Sequence, residues 1–218
     1  MLTLFHTAAA NEAMFATLLQ EIAPDIPTQH IVDESILPSV RATGLTDRIH
    51  QQVTDIILRA IQGGSEVVLC TCSTIGGCAE DAQQFTEKSV QRVDRAMAGK
   101  AVNIGSRVIV AATLASTLQP TCELVQDAAT KAGKSINIIE VFCSTAWSKF
   151  EVGDREGYFA DIADALRKVA TKGDVIVLAQ ASMAGATALC GDLPIPVLSS
   201  PRLGLEAAVQ TYRERLAS

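Results

Sequence analysis

Two stretches of the chain carry the same succession of strand, turn and helix signals, and this internal repeat constrains the fold more than any single motif. Leu2-Thr3-Leu4-Phe5-His6-Thr7 opens the first half and Val108-Ile109-Val110-Ala111-Ala112-Thr113 the second, each an apolar run ending in threonine. Further on, Val67-Val68-Leu69-Cys70-Thr71-Cys72-Ser73-Thr74-Ile75-Gly76-Gly77 aligns with Val175-Ile176-Val177-Leu178-Ala179-Gln180-Ala181-Ser182-Met183-Ala184-Gly185. Val90-Gln91-Arg92-Val93-Asp94 then matches Pro196-Val197-Leu198-Ser199-Ser200.

Short apolar runs predict strands at 2–6, 28–32, 66–70, 90–93, 107–112, 136–141, 174–179 and 195–198. Helical spacing fills the gaps. Thr46 reads as an N-cap, Ile49, Val53, Ile56, Ile57 and Ala60 fall on one face, and Gly63-Gly64 stops the helix. Phe159, Ile162, Leu166 and Val169 repeat that pattern up to Gly173, while Asp33–Gly44 reads as the longest irregular stretch. Strands alternating with helices predict an α/β chain with parallel sheets. The repeat divides it into two pseudo-symmetric lobes, each a four-stranded parallel sheet flanked by helices. One lobe is residues 1–98 with 200–218, the other 99–199. Ligands of open parallel sheets bind beyond the carboxyl ends of the strands. The expected active site is therefore a cleft between the lobes, lined by the loops at Thr7, Cys72, Thr113, Gln180 and Ser199–Ser200.

Composition narrows the class. The 218 residues are 48% hydrophobic but only 4% aromatic, which suits Ala/Val/Ile/Leu helices packed on a parallel sheet. Eighteen basic against 24 acidic residues, net −6, provide no basic stripe for nucleic acid. No apolar run reaches the ~18 residues that would span a membrane. The six cysteines, with no basic export signal ahead of them, read as thiols in a reducing cytoplasm. A homo-oligomer is compatible with the sequence, which does not fix the oligomeric state.

The segment from Cys70 to Gly77 carries the chemistry. Backbone N–H groups at a helix start bind anions, and the Ser73 and Thr74 hydroxyls add donors. Cys72 there reads either as a buried small residue or as a thiol whose thiolate the helix start favours. A carboxylate held on these donors would bring its α-carbon to the sulfur, which suits proton abstraction or delivery. Gln180 occupies the corresponding place in the second half. Its amide donates to a carboxylate or carbonyl but is no base near neutral pH, and Ser182 adds a hydroxyl. Thr7, Thr113 and Asn11 read either as helix caps or as carboxylate ligands. His6 and Glu34 are candidates for a second acid or base, and Trp147 and Tyr158 for pocket walls. No GxGxxG, phosphate-loop lysine or GxSxG elbow occurs, and Cys70, Cys72 and Cys78 lack the spacing of a zinc site.

The segments LFHTAAAN, HIVDESIL, VVLCTCSTIGG, VIVAATLASTLQPT, VIVLAQASMAG and IPVLSSPRLG together resemble the aspartate/glutamate/hydantoin racemase superfamily, whose relatives include arylmalonate decarboxylase and maleate isomerase. The resemblance implies the two-lobed fold. It also implies an isomerase that acts without cofactor or metal at the carbon next to a carboxylate of a small acid or amino acid. Cys72 falls at the family's first catalytic cysteine. Ser73 and Thr74 match its carboxylate-binding turn, and Thr113 matches the threonine of the second lobe. Thr7, Asn11, Gln180, Ala181 and Ser182 complete the expected substrate-binding set. Two-base members carry a second cysteine where this chain has Gln180. Either His6, Glu34 or water serves the second face, or the reaction needs one thiol, as in decarboxylation or cis–trans isomerisation of a small diacid. A catalytically inactive carboxylate-binding protein is the third reading.

Overall fold

A computed structural model describes residues 1–217. The chain divides into two compact units, 1–94 with 201–218 and 95–200. The first unit contains β1 (Leu2–His6), α1 (Ala9–Ile22), β2 (Thr28–Val32), α2 (Ile36–Thr43), α3 (Asp47–Gln62), β3 (Val67–Cys70), α4 (Gly76–Asp81) and β4 (Ser89–Arg92). The second contains α5 (Arg95–Ile104), β5 (Arg107–Ala112), α6 (Ala115–Lys131), β6 (Asn137–Phe142), α7 (Ala146–Glu151), α8 (Arg155–Arg167), β7 (Val175–Leu178) and β8 (Val197–Ser199). The last helix, α9 (Ser200–Ala217), returns to the first unit.

Each unit has one four-stranded parallel sheet, ordered β2-β1-β3-β4 in the first and β6-β5-β7-β8 in the second. The two orders are the same when each unit is numbered from its own first strand, which is the structural form of the sequence repeat. All eight expected strands are present among the described residues, with ends moved by at most two positions.

Side chains alternate across each sheet. In the first unit Leu2, Leu4, Val67 and Leu69 meet Phe15 and Leu19 of α1 and Leu205, Val209 and Tyr212 of α9. Phe5, Val68 and Cys70 face the other way, onto Ile49, Val53 and Ile57 of α3. In the second unit Ile109, Ala111, Ile176 and Leu178 pack on Tyr158, Ile162 and Leu166 of α8. Helix α3 begins and ends where its sequence signals fall. The Thr46 side chain accepts a hydrogen bond from the Ile49 N–H at 3.4 Å, and Gly64 adopts φ of 101° just past the end. Gly204 is required by close approach, since a Cβ there would lie 2.1 Å from the Val93 carbonyl oxygen.

Two local expectations are corrected. The stretch expected to be irregular, Asp33–Gly44, contains helix α2: Ile36 and Val40, one turn apart, are buried, and Pro38 falls in the first turn, where no N–H is needed. Helix α8 ends at Arg167 rather than running to Gly173, and Val169 precedes a separate 3-10 turn at Ala170–Lys172. Among the described residues no helix is long and apolar enough to cross a membrane.

Candidate active site

Strand β3 is fully buried, and the chain leaves it through Thr71 and an extended Cys72 (φ −109°, ψ 111°) into a 3-10 turn at Ser73–Ile75. Strands β1 and β3 are parallel neighbours with Phe5 opposite Cys70, so Thr7 and Cys72 lie two residues beyond a paired position and come together. Cys72 is buried; its side chain makes no capping hydrogen bond to the turn, and its carbonyl accepts from the Ile75 N–H at 3.3 Å. Burial raises the pKa of this thiol, and the neighbouring polar groups of Thr7, Ile75 and Thr74 lower it only in part. The Thr74 and Ile75 groups of the turn act towards the thiolate, as expected of a helix start, but burial outweighs them. Iodoacetamide should therefore label Cys72 slowly at pH 7. The rate should rise about tenfold per pH unit up to pH 9, the ordinary thiol value, as followed by mass spectrometry of the Cys72 peptide.

Ser73 presents a buried hydroxyl that has no hydrogen-bond partner among the described residues. Beneath the turn lies a residue that the sequence did not single out, Arg92, at the end of β4. Its Nε and Nη2 bond Asp94 Oδ1 and Oδ2 at 2.6 and 3.1 Å, and Nη2 also donates to the Ser73 carbonyl at 3.3 Å. Both side chains are out of solvent, at 5% and 0% exposure. Glu80 of α4 stands 3.7 Å from Nη1.

The second unit has the same geometry with a different head group. Ala111 pairs with Leu178, so Thr113 and Gln180 meet two residues beyond. Gln180 Oε1 accepts hydrogen bonds from the Thr113 N–H at 2.7 Å, the Thr113 hydroxyl at 3.0 Å and the Leu114 N–H at 3.2 Å. The carbonyl of Gln180 thus takes the place that the Cys72 sulfur has beside Thr7. These donors also fix the amide orientation, leaving Nε2 as the donor end. The Tyr158 hydroxyl, a second group the sequence left undecided, lies 3.3 Å from Thr113 Oγ1 and 3.0 Å from Ser182 Oγ. Burial pushes its pKa up, so it stays protonated. Ala181 starts a 3-10 helix running to Leu189, and Ser200 is fully buried.

The glutamate racemase of Francisella tularensis subsp. tularensis SCHU S4, solved in complex with D-glutamate, superposes with a TM-score of 0.73 at 16% identity, covering 99% of this chain and 81% of that one. The aspartate racemase of Picrophilus torridus gives 0.72 at 12% identity, over 97% and 94%. The chain has the Asp/Glu racemase fold. A mutant of arylmalonate decarboxylase shares it at a TM-score of 0.57 and 15% identity, over 96% and 92%. No protein-family model and no curated protein matches the sequence.

Around this racemase-fold turn, the remaining candidates take local roles. Glu34 Oε1 accepts from the Ala9 N–H at 2.9 Å, at the start of α1, and Asn11 lies half-buried in the first turn of that helix. Trp147 stacks on Phe150 at 4.7 Å and bonds Glu151. His6, a candidate second acid or base, is fully buried. Its Nδ1 lies 2.8 Å from Thr71 Oγ1 and its Nε2 2.9 Å from His30 Nδ1. The Thr71 hydroxyl donates to the Phe5 carbonyl, so His6 donates from Nδ1 and accepts at Nε2 from His30. Both nitrogens are thus engaged inside the protein. Among the described residues no group of three or more His, Cys, Asp or Glu could hold a metal ion.

Burial first, and then His30, lower the pKa of His6 from 6.5 to about 4. The unfolded chain therefore binds this proton more readily than the folded one. The stability contribution is complete above pH 6.5 and is lost as pH falls towards 4, by up to about 3 kcal/mol. Urea midpoints at pH 7 and 4.5 should show this loss, and a His6→Asn variant should show less of it.

Proposed function

We propose that the chain is a cofactor-independent enzyme acting at the carbon next to a carboxylate of a small acid or amino acid, with Cys72 as its proton carrier. The observation behind this reading is a buried thiol, two residues past the paired β1 and β3 position and so beside Thr7, that leads into a 3-10 turn whose Ser73 hydroxyl is buried without a partner. A buried hydroxyl left unmatched costs free energy that a bound carboxylate would recover. In the forward step the thiolate takes the α-proton and the C–H electron pair moves into the carboxylate as an enediolate. The buried, unpartnered Ser73 hydroxyl is available to meet that charge. Return of the proton from sulfur regenerates the acid on the same face. Inversion would need a second proton donor on the other face of the substrate.

A second reading, decarboxylation of a substituted malonate or cis–trans isomerisation of a small diacid, is favoured by one feature. Gln180 Oε1 already takes all three donors beside Thr113, so this position holds a fixed amide and not an exchanging group. In decarboxylation the C–CO2 bond breaks, CO2 leaves, and the enediolate takes a proton from the Cys72 thiol. Burial keeps that thiol in the required acid form.

The test is incubation in D2O with a panel of amino acids, 2-substituted acids, malonates and cis-diacids, read by NMR. Deuterium entering the α-position with retention or inversion supports the first reading. CO2 or trans-diacid formation supports the second. Calorimetric binding of the panel acids with no exchange and no product would replace both with a carboxylate-binding protein.

A further inference from the structure

The Tyr158 hydroxyl, buried on α8, takes no part in the chemistry just described, yet its surroundings fix where each nearby proton points. Gln180 Oε1 faces the N–H groups of Thr113 and Leu114, so that atom is the carbonyl oxygen and only accepts. The Thr113 hydroxyl, 3.0 Å away, therefore donates to it and has no second proton to give. Thr113 Oγ1 also lies 3.3 Å from the Tyr158 oxygen. Two oxygens facing each other without a proton between them repel, so Tyr158 supplies that proton. Having spent it, Tyr158 accepts from Ser182, whose Oγ is 3.0 Å away. The bonds thus run from Ser182 to Tyr158, to Thr113 and to Gln180, each hydroxyl polarising the next.

Two groups of this turn are left for a ligand. Gln180 is only 8% exposed, and its Nε2 has no hydrogen-bond partner among the described residues. Ser182 Oγ has lone pairs to offer but no proton. The internal repeat sharpens the contrast: Ser73, with its unpartnered hydroxyl, aligns with Ala181, which has none. Thr113, Leu114, Gln180, Ala181 and Ser182 are all uncharged. A carboxylate would set its lone pairs against those of Ser182, whereas a carboxamide accepts from Nε2 through its oxygen and donates to Ser182 through its nitrogen.

We infer that Tyr158 is a positioning residue that sets specificity: by holding the Ser182 hydroxyl as an acceptor, it makes the Gln180 turn a subsite for a neutral carboxamide in preference to a carboxylate. The inference rests on the proposed function only in taking this turn to meet a ligand. Its test needs no turnover, so the two can fail separately.

The experiment titrates the full-length, 15N-labelled protein at pH 7 with acetamide and, separately, with acetate. It reads the Gln180 side-chain NH2 and Ser182 backbone resonances by NMR in the wild type, Tyr158→Phe and Ser182→Ala. In the wild type acetamide should bind about tenfold more tightly than acetate. Tyr158→Phe keeps the ring but frees the Ser182 proton to turn outward, so acetate should gain and the preference should fall to about one. Ser182→Ala removes the acceptor and should weaken acetamide alone. A turn that merely loosened would weaken both probes together and leave their ratio unchanged. The inference is overturned by acetate binding as well as acetamide in the wild type, or by Gln180 signals that respond to neither probe. It is equally overturned by an unchanged ratio in Tyr158→Phe or, should that variant not fold, in Ser182→Ala.

Discussion

A Cys72→Ser variant is expected to exchange α-protons with solvent deuterium about a thousandfold more slowly than the wild type on any acid that the wild type turns over. Serine is close in volume to the thiol and leaves the Ser73 and Thr7 side chains in place, so binding of the acid should change little. The loss should fall on kcat and not on KM. Cys78→Ser is the matched control: it removes another buried thiol of the same core, on α4 beyond the 3-10 turn at Ser73–Ile75. NMR initial rates in D2O decide the matter. Equal rates for wild type and Cys72→Ser would remove the sulfur from the mechanism.

The largest stability effect is expected at Asp94. Asp94→Ala leaves the Arg92 guanidinium, 5% exposed, without its bidentate partner, at a cost of about 3–5 kcal/mol. In the wild type Asp94, and then Glu80, offset the burial that works against charge on Arg92; in the variant the guanidinium, intrinsically far too basic to lose its proton near neutral pH, is left charged and unpaired. Glu80→Ala removes a carboxylate 3.7 Å away that is 31% exposed, and should cost less than about 1 kcal/mol. Urea unfolding of the two variants gives the comparison. A similar small loss in both would mean that the pair is more hydrated than its burial implies. Replacing both members, Arg92→Met with Asp94→Asn, should recover most of the difference, because no lone charge remains inside.

The strands and the likeness of the two four-stranded parallel sheets were legible from short, mostly apolar runs repeated in the same succession, whereas the strand order was not. Helix α3 was legible down to its cap because Thr46, a five-member apolar face and Gly63-Gly64 all agree. Helix α2 was not: its buried face rests on Ile36 and Val40 within a stretch rich in Pro, Ser and Thr. That Thr7, Cys72, Thr113 and Gln180 all stand at strand ends could be read from the repeat, but that Thr7 meets Cys72 and Thr113 meets Gln180 follows from the strand register of the fold. What surrounds those pairs could not. Arg92 and Asp94 look like ordinary charges after a strand, and only the fold brings Arg92 onto the carbonyl of Ser73, nineteen positions earlier. Tyr158 reaches Thr113 across 45 positions, and His6 meets His30 across 24. In each case the deciding contact is long-range and polar, and hydrophobic spacing carries no trace of it.

The return of α9 to the first unit bears on how the chain is made. Residues 95–200 form an uninterrupted stretch, so the second unit has all its parts once Ser200 has left the ribosome. The first unit, although synthesised first, waits for Leu205, Val209 and Tyr212 to cover Leu2, Leu4 and Leu69. Until then that side of the nascent parallel sheet is covered by α1 alone, a state prone to misassociation. The usual amino-terminal-first order of maturation is thereby reversed, and a message truncated shortly after residue 200 would release a finished second unit beside an unfinished first one.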